Sequence, residues 1–425
     1  MKVVALDAGG ATLKASVVAP GVTPTVSILA NHVASTSTNP STVFMGQKLR
    51  ELERQRAKLR YLRPVQRGYC VNWNAEAELW AHLLTSTEAR GLCCCPLQLL
   101  KVDPSEHALV VTAPLLAPAV VNESMDQVVF EELGFQSYAR VSAAESCVLS
   151  YSEFSERAFQ ESLGAAKPPA KRGPGRPRKK GKTEPLTPPP VVDEDPLRFS
   201  TSSCHLVVDS GFSFTHVVPV IDGKVFMPGV RRINVGGKLL TNYLKEIVSY
   251  RQWNVMDDTP VINELKEALC YCSLDFDNDL KRYHSNRQER KHWVLPDFVR
   301  TFEGRCREDE VEDVEEEEEE DASADQQQPT RPTDDEQALE MGVEMITVPE
   351  VLFNPSDIGL NQAGLAETIV QAVEACPEEL SDAFYANILL VGGNTKFKNF
   401  RQRLERDLRS LVPEDFDIEL HEPSE

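Results

Sequence analysis

Two segments share one pattern of apolar and polar positions: a run of β-branched residues stops at an aspartate and a glycine-containing turn, and a second apolar run follows. The first covers residues 3–18 (VVALDAGGATLKASVV) and the second covers residues 207–220 (VVDSGFSFTHVVPV). Strands that end in Asp-x-Gly make tight turns whose backbone N–H groups can face an anion. The pattern predicts two β-hairpins, the later one with strands over residues 204–208 and 214–218.

Helical spacing of apolar residues predicts most of the other elements. Residues 74–84 form a helix capped by Asn74, and residues 122–132 form another whose inward side includes Phe130. Residues 47–62 are interpreted as an exposed helix or a short basic arm, and a buried strand ends at Pro114. Further helices are predicted over residues 239–249, 261–272, 364–375 and 397–411, with a strand over 388–391.

The two hairpins are also the candidate chemistry. Each turn keeps an aspartate beside glycines: Asp7, Gly9 and Gly10, followed by Lys14, in the first, and Asp209 and Gly211 in the second. Two hairpins of one plan suggest two lobes that face each other over a cleft, each offering a loop to a phosphate chain. The alternative is that these residues only maintain the two turns.

Composition changes this picture little. The chain has 425 residues, 41% of them hydrophobic, enough for one large core or two linked ones. We find neither an apolar run of membrane-spanning length nor an amino-terminal signal pattern, so we expect the nucleus or the cytoplasm and no membrane contact. Ten cysteines occur without paired CxxC clusters or matching histidine spacing, so we expect free thiols and no metal site.

Charge divides unevenly along the chain. The net charge is −21, yet residues 171–182 carry seven basic side chains and residues 308–321 carry twelve acidic ones. The remaining body is acidic, so we do not expect it to bind nucleic acid nonspecifically. Any DNA contact must therefore be local.

The basic run lies in a Pro- and Gly-rich insert, residues 162–199, that is too poor in apolar residues to offset its ordering entropy and is predicted to be disordered. Its centre resembles an AT-hook, which lies in the narrow minor groove of A·T-rich DNA. Pro174 stands where the first arginine of that motif is usual, which removes one groove contact. A nuclear import signal and a solvated linker remain alternatives. The candidate DNA-binding residues are Lys171, Arg172, Gly175, Arg176, Pro177, Arg178, Lys179 and Lys180.

A second insert, residues 305–340, contains the acidic run followed by Gln and Pro. We interpret it as a solvated, disordered loop, or as a contact for a basic partner such as a histone tail or a remodeller arm.

Five ordered blocks resemble the actin family: DSGFSFTHVVPV (209–220), RRINVGGKLLTNYLKEIVSYRQ (231–252), ELKEALCYCSLDF (264–276), VPEVLFNPSDIGL (348–360) and ILLVGGNTKF (388–397). The resemblance covers nearly the whole chain apart from the two inserts and the end. It implies an α/β, actin-like (actin/Hsp70/sugar-kinase) two-lobed fold with a nucleotide cleft. The first lobe would span residues 1–161, with a small outer subdomain at about 28–64, and the second lobe residues 200–304 and 341–425. The tryptophan-containing terminal segment of the family has no counterpart after the last predicted helix.

The resemblance also implies a ligand. Several residues match positions of the family that contact the adenosine: Gly237, Lys266, Glu267, Gly393, Lys396 and Phe397. Together with the two turns, they imply that ATP or ADP is held as a structural ligand. Whether magnesium accompanies the nucleotide is left open. Three departures argue against turnover, since phosphoryl transfer depends on a positioned metal and water. Phe212 and Ser213 replace an acidic residue and a glycine, Ser146 stands at the water-orienting glutamine, and Ala11 and Ser16 replace glycines.

Blocks such as INVGGKLLTN, RGYCVNW and LFNPSDIG are most similar to nuclear actin-related proteins. This similarity implies a non-catalytic scaffold in a SWR-type chromatin-remodelling complex, which exchanges the Z variant of histone H-two-A into nucleosomes. The implied partners are the motor ATPase, a zinc-HIT subunit and nucleosomal DNA. The alternatives are an ATP-hydrolysing actin-like protein, a sugar-kinase or chaperone relative, and a free filament former. No polymer-forming loop is evident, so we expect no filament.

Overall fold

The computed structural model describes residues 2–19, 24–36, 39–54, 59–85, 100–152, 204–286, 289–297, 301–307 and 337–422. The basic insert and the acidic run lie outside these residues.

Nineteen strands are described, and in chain order they are β1 (Lys2–Ala8), β2 (Thr12–Val18), β3 (Ser27–Ala30), β4 (Val33–Thr36), β5 (Asn39–Phe44), β6 (Leu59–Leu62), β7 (Val65–Gln66), β8 (Tyr69–Cys70), β9 (His107–Ala113), β10 (Tyr138–Ser142), β11 (Cys204–Ser210), β12 (Thr215–Ile221), β13 (Lys224–Val225), β14 (Arg231–Ile233), β15 (Lys291–Val294), β16 (Arg305–Cys306), β17 (Ala338–Met341), β18 (Ile388–Val391) and β19 (Leu420–His421).

The α-helices are α1 (Gly46–Arg54), α2 (Trp73–Thr85), α3 (Ala119–Gln127), α4 (residues 143–152), α5 (Gly237–Arg251), α6 (Thr259–Leu269), α7 (Phe276–Ser285), α8 (Glu344–Glu350), α9 (Leu365–Glu374), α10 (Ser381–Tyr385) and α11 (Phe400–Leu411). None of these helices is both long and apolar enough to span a bilayer.

The two predicted hairpins form the centres of two sheets with a shared plan. In the first lobe the strand order is β10-β9-β1-β2-β3, with β1 antiparallel to β2 and parallel to β9. In the second lobe the order is β13-β12-β11-β18-β19, with β14 added beside β12, and β11 is antiparallel to β12 and parallel to β18. Both turns therefore leave their sheets in the same way, which confirms the repeated construction.

Each lobe has its own apolar core. Alternate residues of the first sheet, such as Leu6 and Leu109, pack on α2 and α3 around Trp80. The second sheet packs with α5, α6, α9 and α11 through residues such as Leu206 and Phe400. A third cluster joins α4 to β11, β12 and β18 through Ala144 and Val148. Helix α4, which follows the first-lobe strand β10, is thereby held on the second lobe.

Two smaller sheets lie outside the main ones. Strands β5-β4-β6 form the first, and α1 follows β5. The prediction of one helix or arm over residues 47–62 was wrong in its second half, because residues 59–62 pair with β4 as a strand. Strands β16-β15-β17 form the other sheet. Since β16 and β17 lie within the predicted range 305–340, the second insert is shorter at both ends than the sequence indicated.

Two local predictions were also wrong. Helix α2 begins at Trp73, and Asn72, not Asn74, caps it, because the Asn72 side chain accepts a hydrogen bond from the Ala75 N–H at 3.2 Å. Helix α3 continues as a π-helical turn over Val128–Glu132. Because this wider turn changes the direction of later side chains, Phe130 is 48% exposed and not inward.

Candidate nucleotide cleft

The first turn is built from the end of β1. Asp7 lies opposite Lys14 in the β1–β2 register, with 3.9 Å between its Oδ2 and the Lys14 Nζ. Thr112 of β9 donates from Oγ1 to Asp7 Oδ1 at 2.8 Å and accepts from the Ala8 N–H at 2.9 Å. The carboxylate is thus held in one orientation at the carboxyl end of its strand.

A buried polar network holds this turn from below. Asn31 is fully buried, its Nδ2 donates to the Gly9 carbonyl at 2.9 Å, and its backbone N–H donates to the Ala11 carbonyl at 2.7 Å. The same Nδ2 donates to Glu76 Oε1 at 3.2 Å, which also accepts from Trp80 Nε1 at 2.9 Å. Helix α2 therefore fixes the backbone of the first turn.

The second turn is fixed by hydroxyls and an amide. The Gly211 N–H donates to the Phe214 carbonyl at 3.0 Å and closes the turn. The Ser210 and Thr215 hydroxyls lie 2.8 Å apart, and Asn394 Nδ2 donates to Ser210 Oγ at 3.1 Å and to the Gly211 carbonyl at 2.8 Å. Asn394 lies in the 3₁₀ turn that follows β18, so a residue 184 positions from Ser210 in the chain fixes this turn.

The two turns meet directly. A Cβ placed on Gly10 would lie 2.6 Å from Ser213 Oγ and 3.6 Å from Phe212 Cδ1. The absence of a side chain at Gly10 therefore lets the second lobe approach the first. Gly236 serves the second turn in the same way, since its Cβ would lie 2.5 Å from the Phe214 backbone nitrogen.

The two turn aspartates interact across the cleft. Burial and the negative charge of Asp7 raise the pKa of Asp209, against the opposing effect of Lys14, to about 6. The two carboxylates and one ammonium thus form a single electrostatic unit. This is the arrangement expected where two lobes present their turns to a common ligand.

Gly237 and Lys266, which match the adenosine side of the family, come together at the start of α5. Lys266 is 4% exposed and donates from Nζ to Thr241 Oγ1 at 3.1 Å and to Asn263 Oδ1 at 3.0 Å. Burial lowers the pKa of its ammonium. Glu267 Oε1 accepts from Asn263 Nδ2 at 2.7 Å on the exposed side of α6. Lys266 therefore supports the start of α5 from beneath.

The other predicted adenosine-side residues follow β18. A Cβ on Gly393 would meet nothing within 4 Å, so this backbone is open. Lys396 ends the 3₁₀ turn Gly393–Lys396, while Phe397 is only 8% exposed and packs in the second-lobe core. Gly393 thus borders open space, whereas most of the Phe397 side chain is buried in the second-lobe core.

Helix α4 carries the residue at the expected water-orienting position. The exposed Ser146 donates from Oγ at 3.0 Å to the carbonyl of Ser142, the last residue of β10 before the helix. Burial, together with the charges of Asp209 and Asp7, raises the pKa of the neighbouring Cys147 thiol to about 11. A short hydroxyl that is already bonded to the backbone is poorly suited to orient a water.

A magnesium ion does not fit the second turn well. Phe212 places an aromatic ring there, and the Arg63 guanidinium carbon lies 4.9 Å above the ring centroid. Within the described ranges no cluster of three or more His, Cys, Asp or Glu side chains is arranged to hold a metal ion. A ring and a guanidinium supply no oxygen ligands, and the guanidinium repels a cation.

Sequence reasoning missed three anchoring residues: Thr112, Asn31 and Asn394. Thr112 ends a strand that was recognised, so the parallel arrangement of β9 and β1 could have pointed to it. Nothing local marks Asn31 or Asn394 as turn supports, because their partners are distant in sequence.

Two matched sheets, each contributing one Asp-Gly turn to a shared cleft, define the class of two-lobed actin-fold proteins. The family model described as Actin matches residues 1–425. Actin-related protein 6 of Drosophila melanogaster is 31% identical over 98% of this chain and 88% of its own length. Actin-related protein 6 of Oryza sativa subsp. indica is 35% identical over 84% of this chain and 74% of its own length. The chain belongs to the actin family, in its actin-related protein 6 group.

Proposed function

We propose that the chain is a non-catalytic actin-fold scaffold of a SWR-type chromatin-remodelling complex that supports exchange of the Z variant of histone H-two-A. The observation that carries the non-catalytic part is in the second turn, where the Arg63 guanidinium covers the ring of Phe212, three residues after Asp209. Catalysis of phosphoryl transfer needs a metal ion and an oriented water. The complex itself is inferred from the similarity to Actin-related protein 6.

A nucleotide fits the proposal as a structural ligand. The residues that would hold it are Asp7, Gly9, Gly10 and Lys14 of the first turn, Asp209 and Gly211 of the second, and Gly237 and Gly393 beside them. Such a ligand would stabilise the closed arrangement of the lobes by binding both.

Single-turnover ATP hydrolysis by the purified chain tests the non-catalytic part. We expect turnover far slower than that of actin filaments measured in parallel, because Phe212 places an aromatic ring, and not a carboxylate, in the second turn. A rate equal to that of the filaments would favour the alternative, an ATP-hydrolysing actin-like protein. The presence of Asp7, Lys14 and Asp209 supports that alternative.

The basic residues 171–180 are proposed to contact nucleosomal or linker DNA. Replacing Arg176 and Arg178 with alanine is expected to weaken binding to an A·T-rich duplex and to reduce the dependence on salt, since each phosphate neutralised adds about 0.9 to the log–log slope. Arg401→Ala with Arg406→Ala, on the exposed side of α11, changes the charge equally and serves as the control. Unchanged affinity in the first variant would contradict the DNA contact and leave the two alternatives, a nuclear import signal and a solvated linker.

The proposed protein partners are the motor ATPase and a zinc-HIT subunit of the complex, with histones as a further contact of the acidic residues 308–321, and the proposed location is the nucleus. Mass spectrometry of proteins that co-purify with the tagged chain from nuclear extract tests all three. Recovery of those subunits supports the assignment. Recovery of the chain alone, under conditions that preserve a known remodeller, contradicts it.

A further inference from the structure

Two half-buried cations flank Phe212 from opposite lobes. Arg63 lies between β6 and β7 of the first lobe, with its guanidinium over the Phe212 ring at 4.9 Å. Lys238 is the second residue of α5 in the second lobe, and its backbone N–H donates to the Phe212 carbonyl at 2.8 Å. The Arg63 guanidinium and the Lys238 backbone therefore contact the same residue of the second turn, and the charges of the two side chains interact.

Neither cation has a carboxylate partner in the part of the chain that the structure describes. Among the residues that the structure describes, no ion pair or hydrogen bond to an acidic side chain is formed by Arg63 or Lys238. Burial lowers the pKa of both groups, and the charge of Arg63 lowers that of Lys238 further. Burying unpaired like charges near each other is unfavourable unless an anion joins them.

The position of this pair fits a phosphate chain. Val65, two residues after Arg63, would be 3.4 Å from a Cβ on Gly10, so the Arg63 segment borders the first turn as well as the second. A planar guanidinium binds two phosphate oxygens at once, and an ammonium adds a point charge. Two such cations can neutralise the charge that magnesium neutralises in a metal-bound polyphosphate.

We propose that Arg63 and Lys238 bind the phosphate chain of a nucleoside di- or triphosphate in the cleft without a magnesium ion. The two cations stand on opposite lobes, so the bound phosphates join the lobes. The ring of Phe212 excludes the magnesium ion, and it stacks against the Arg63 guanidinium. The inference depends on the nucleotide of the proposed function but not on the remodelling complex.

Binding of fluorescently labelled ADP to the full chain, measured in EDTA and again in excess magnesium, tests this proposal. We expect binding in EDTA at least as tight as in magnesium. Arg63→Gln and Lys238→Gln should each weaken binding in EDTA by about tenfold or more, the usual effect of losing a charge-assisted hydrogen bond. Inorganic pyrophosphate should compete with ADP, and less well in each variant.

Arg60→Gln and Lys224→Gln remove cations from exposed positions outside the cleft and should leave affinity unchanged. Arg63→Lys, which keeps the charge but loses the planar fork, should bind with intermediate affinity, and unchanged thermal unfolding excludes misfolding of any variant.

Loss of ADP binding in EDTA, or full affinity in both glutamine variants, overturns the proposal. Failure of the chain to bind either ADP or pyrophosphate overturns it too. In each case co-purification with remodeller subunits still tests the scaffold function separately.

Discussion

At the scale of single residues, the meeting of the two turns depends on Gly10. The Ser213 hydroxyl and the Phe212 ring occupy the space that a side chain at position 10 would take. Position 10 thus requires glycine because Ser213 and Phe212 of the second lobe come close to it, and not because of the backbone conformation of its own turn.

Gly10→Ala should lower the free energy of unfolding by about 1 kcal/mol, because the new methyl group crowds Ser213 and Val65. Adding Ser213→Gly should recover most of the loss, since it removes the nearest atom. Urea denaturation of the single and double variants measures both effects. Gly342→Ala is the control, as its Cβ would be 3.4 Å or more from the flexible Arg290 side chain. An equal loss in the double variant would contradict the assigned contact.

A second residue-scale feature is the Glu76 carboxyl beneath the first turn. It is 1% exposed, and burial raises its pKa to about 7, although hydrogen bonds from Trp80 and Asn31 act in the opposite direction. Between the ordinary glutamate pKa and about 7 the folded chain holds a proton that the unfolded chain has lost. This contribution to stability is therefore fully present at low pH and disappears as pH rises through that window.

Glu76→Gln should flatten this part of the pH dependence of stability. The amide oxygen can still accept from Trp80 and Asn31, while the group can no longer ionise. Up to about 3 kcal/mol of pH-dependent stability is at stake for a shift of this size. Denaturant midpoints at pH 5 and pH 8 give the measurement, and Glu78→Gln, on the exposed side of α2, is the control. Parallel pH profiles for wild type and Glu76→Gln would refute the assignment.

At the scale of elements, β14 and the β7–β8 hairpin hold the lobes together away from the turns. Arg232 donates from Nη1 to Tyr69 Oη at 2.9 Å and from Nη2 to the Arg67 carbonyl at 2.8 Å. Its guanidinium carbon also lies 4.5 Å from the Phe214 ring centroid. Because both hydrogen bonds run from the second lobe to the first, this contact joins the lobes through protein groups alone.

Arg232→Ala should lower stability by about 1–2 kcal/mol and increase the radius of gyration measured by small-angle scattering without nucleotide. Arg232→Lys should recover little, because one ammonium cannot reproduce the two-pronged geometry. Arg231→Ala is the matched control, since Arg231 donates to the Pro228 and Val230 carbonyls within its own lobe. An unchanged radius of gyration in Arg232→Ala would show that the lobes are held elsewhere.

At the scale of the whole molecule, the small sheet of β5, β4 and β6 lies in the region that determines whether the chain can form filaments. Strands β4 and β5 are joined through residues 37–38 alone, so this edge has only a two-residue connection between paired strands. The expectation that the chain lacks a polymer-forming loop rests on residues 47–62, in which no sequence similar to that loop is evident.

The chain should therefore remain in the supernatant when magnesium and salt are added, under conditions in which actin pellets. Sedimentation over a range of concentrations provides the measurement. Pelleting that depends on concentration, with filaments visible by electron microscopy, would contradict it.

The sequence by itself determined the two hairpins and most long helices. Apolar residues that alternate, or that recur at helical spacing, form a local pattern, and burying the apolar face stabilises the corresponding strand or helix. The sequence also indicated the turn residues Asp7 and Asp209, since the same Asp-x-Gly pattern after an apolar strand occurs in both hairpins. Residues 59–62 were misassigned because their strand exists only through pairing with β4.

Tertiary structure alone decided what the site contains. It placed Ser213 against Gly10, buried Lys266 under α5, committed Phe397 to the core and set Arg63 over Phe212. Each of these contacts joins residues far apart in the chain. Their energies depend on how the two lobes pack, which no local pattern of residues encodes.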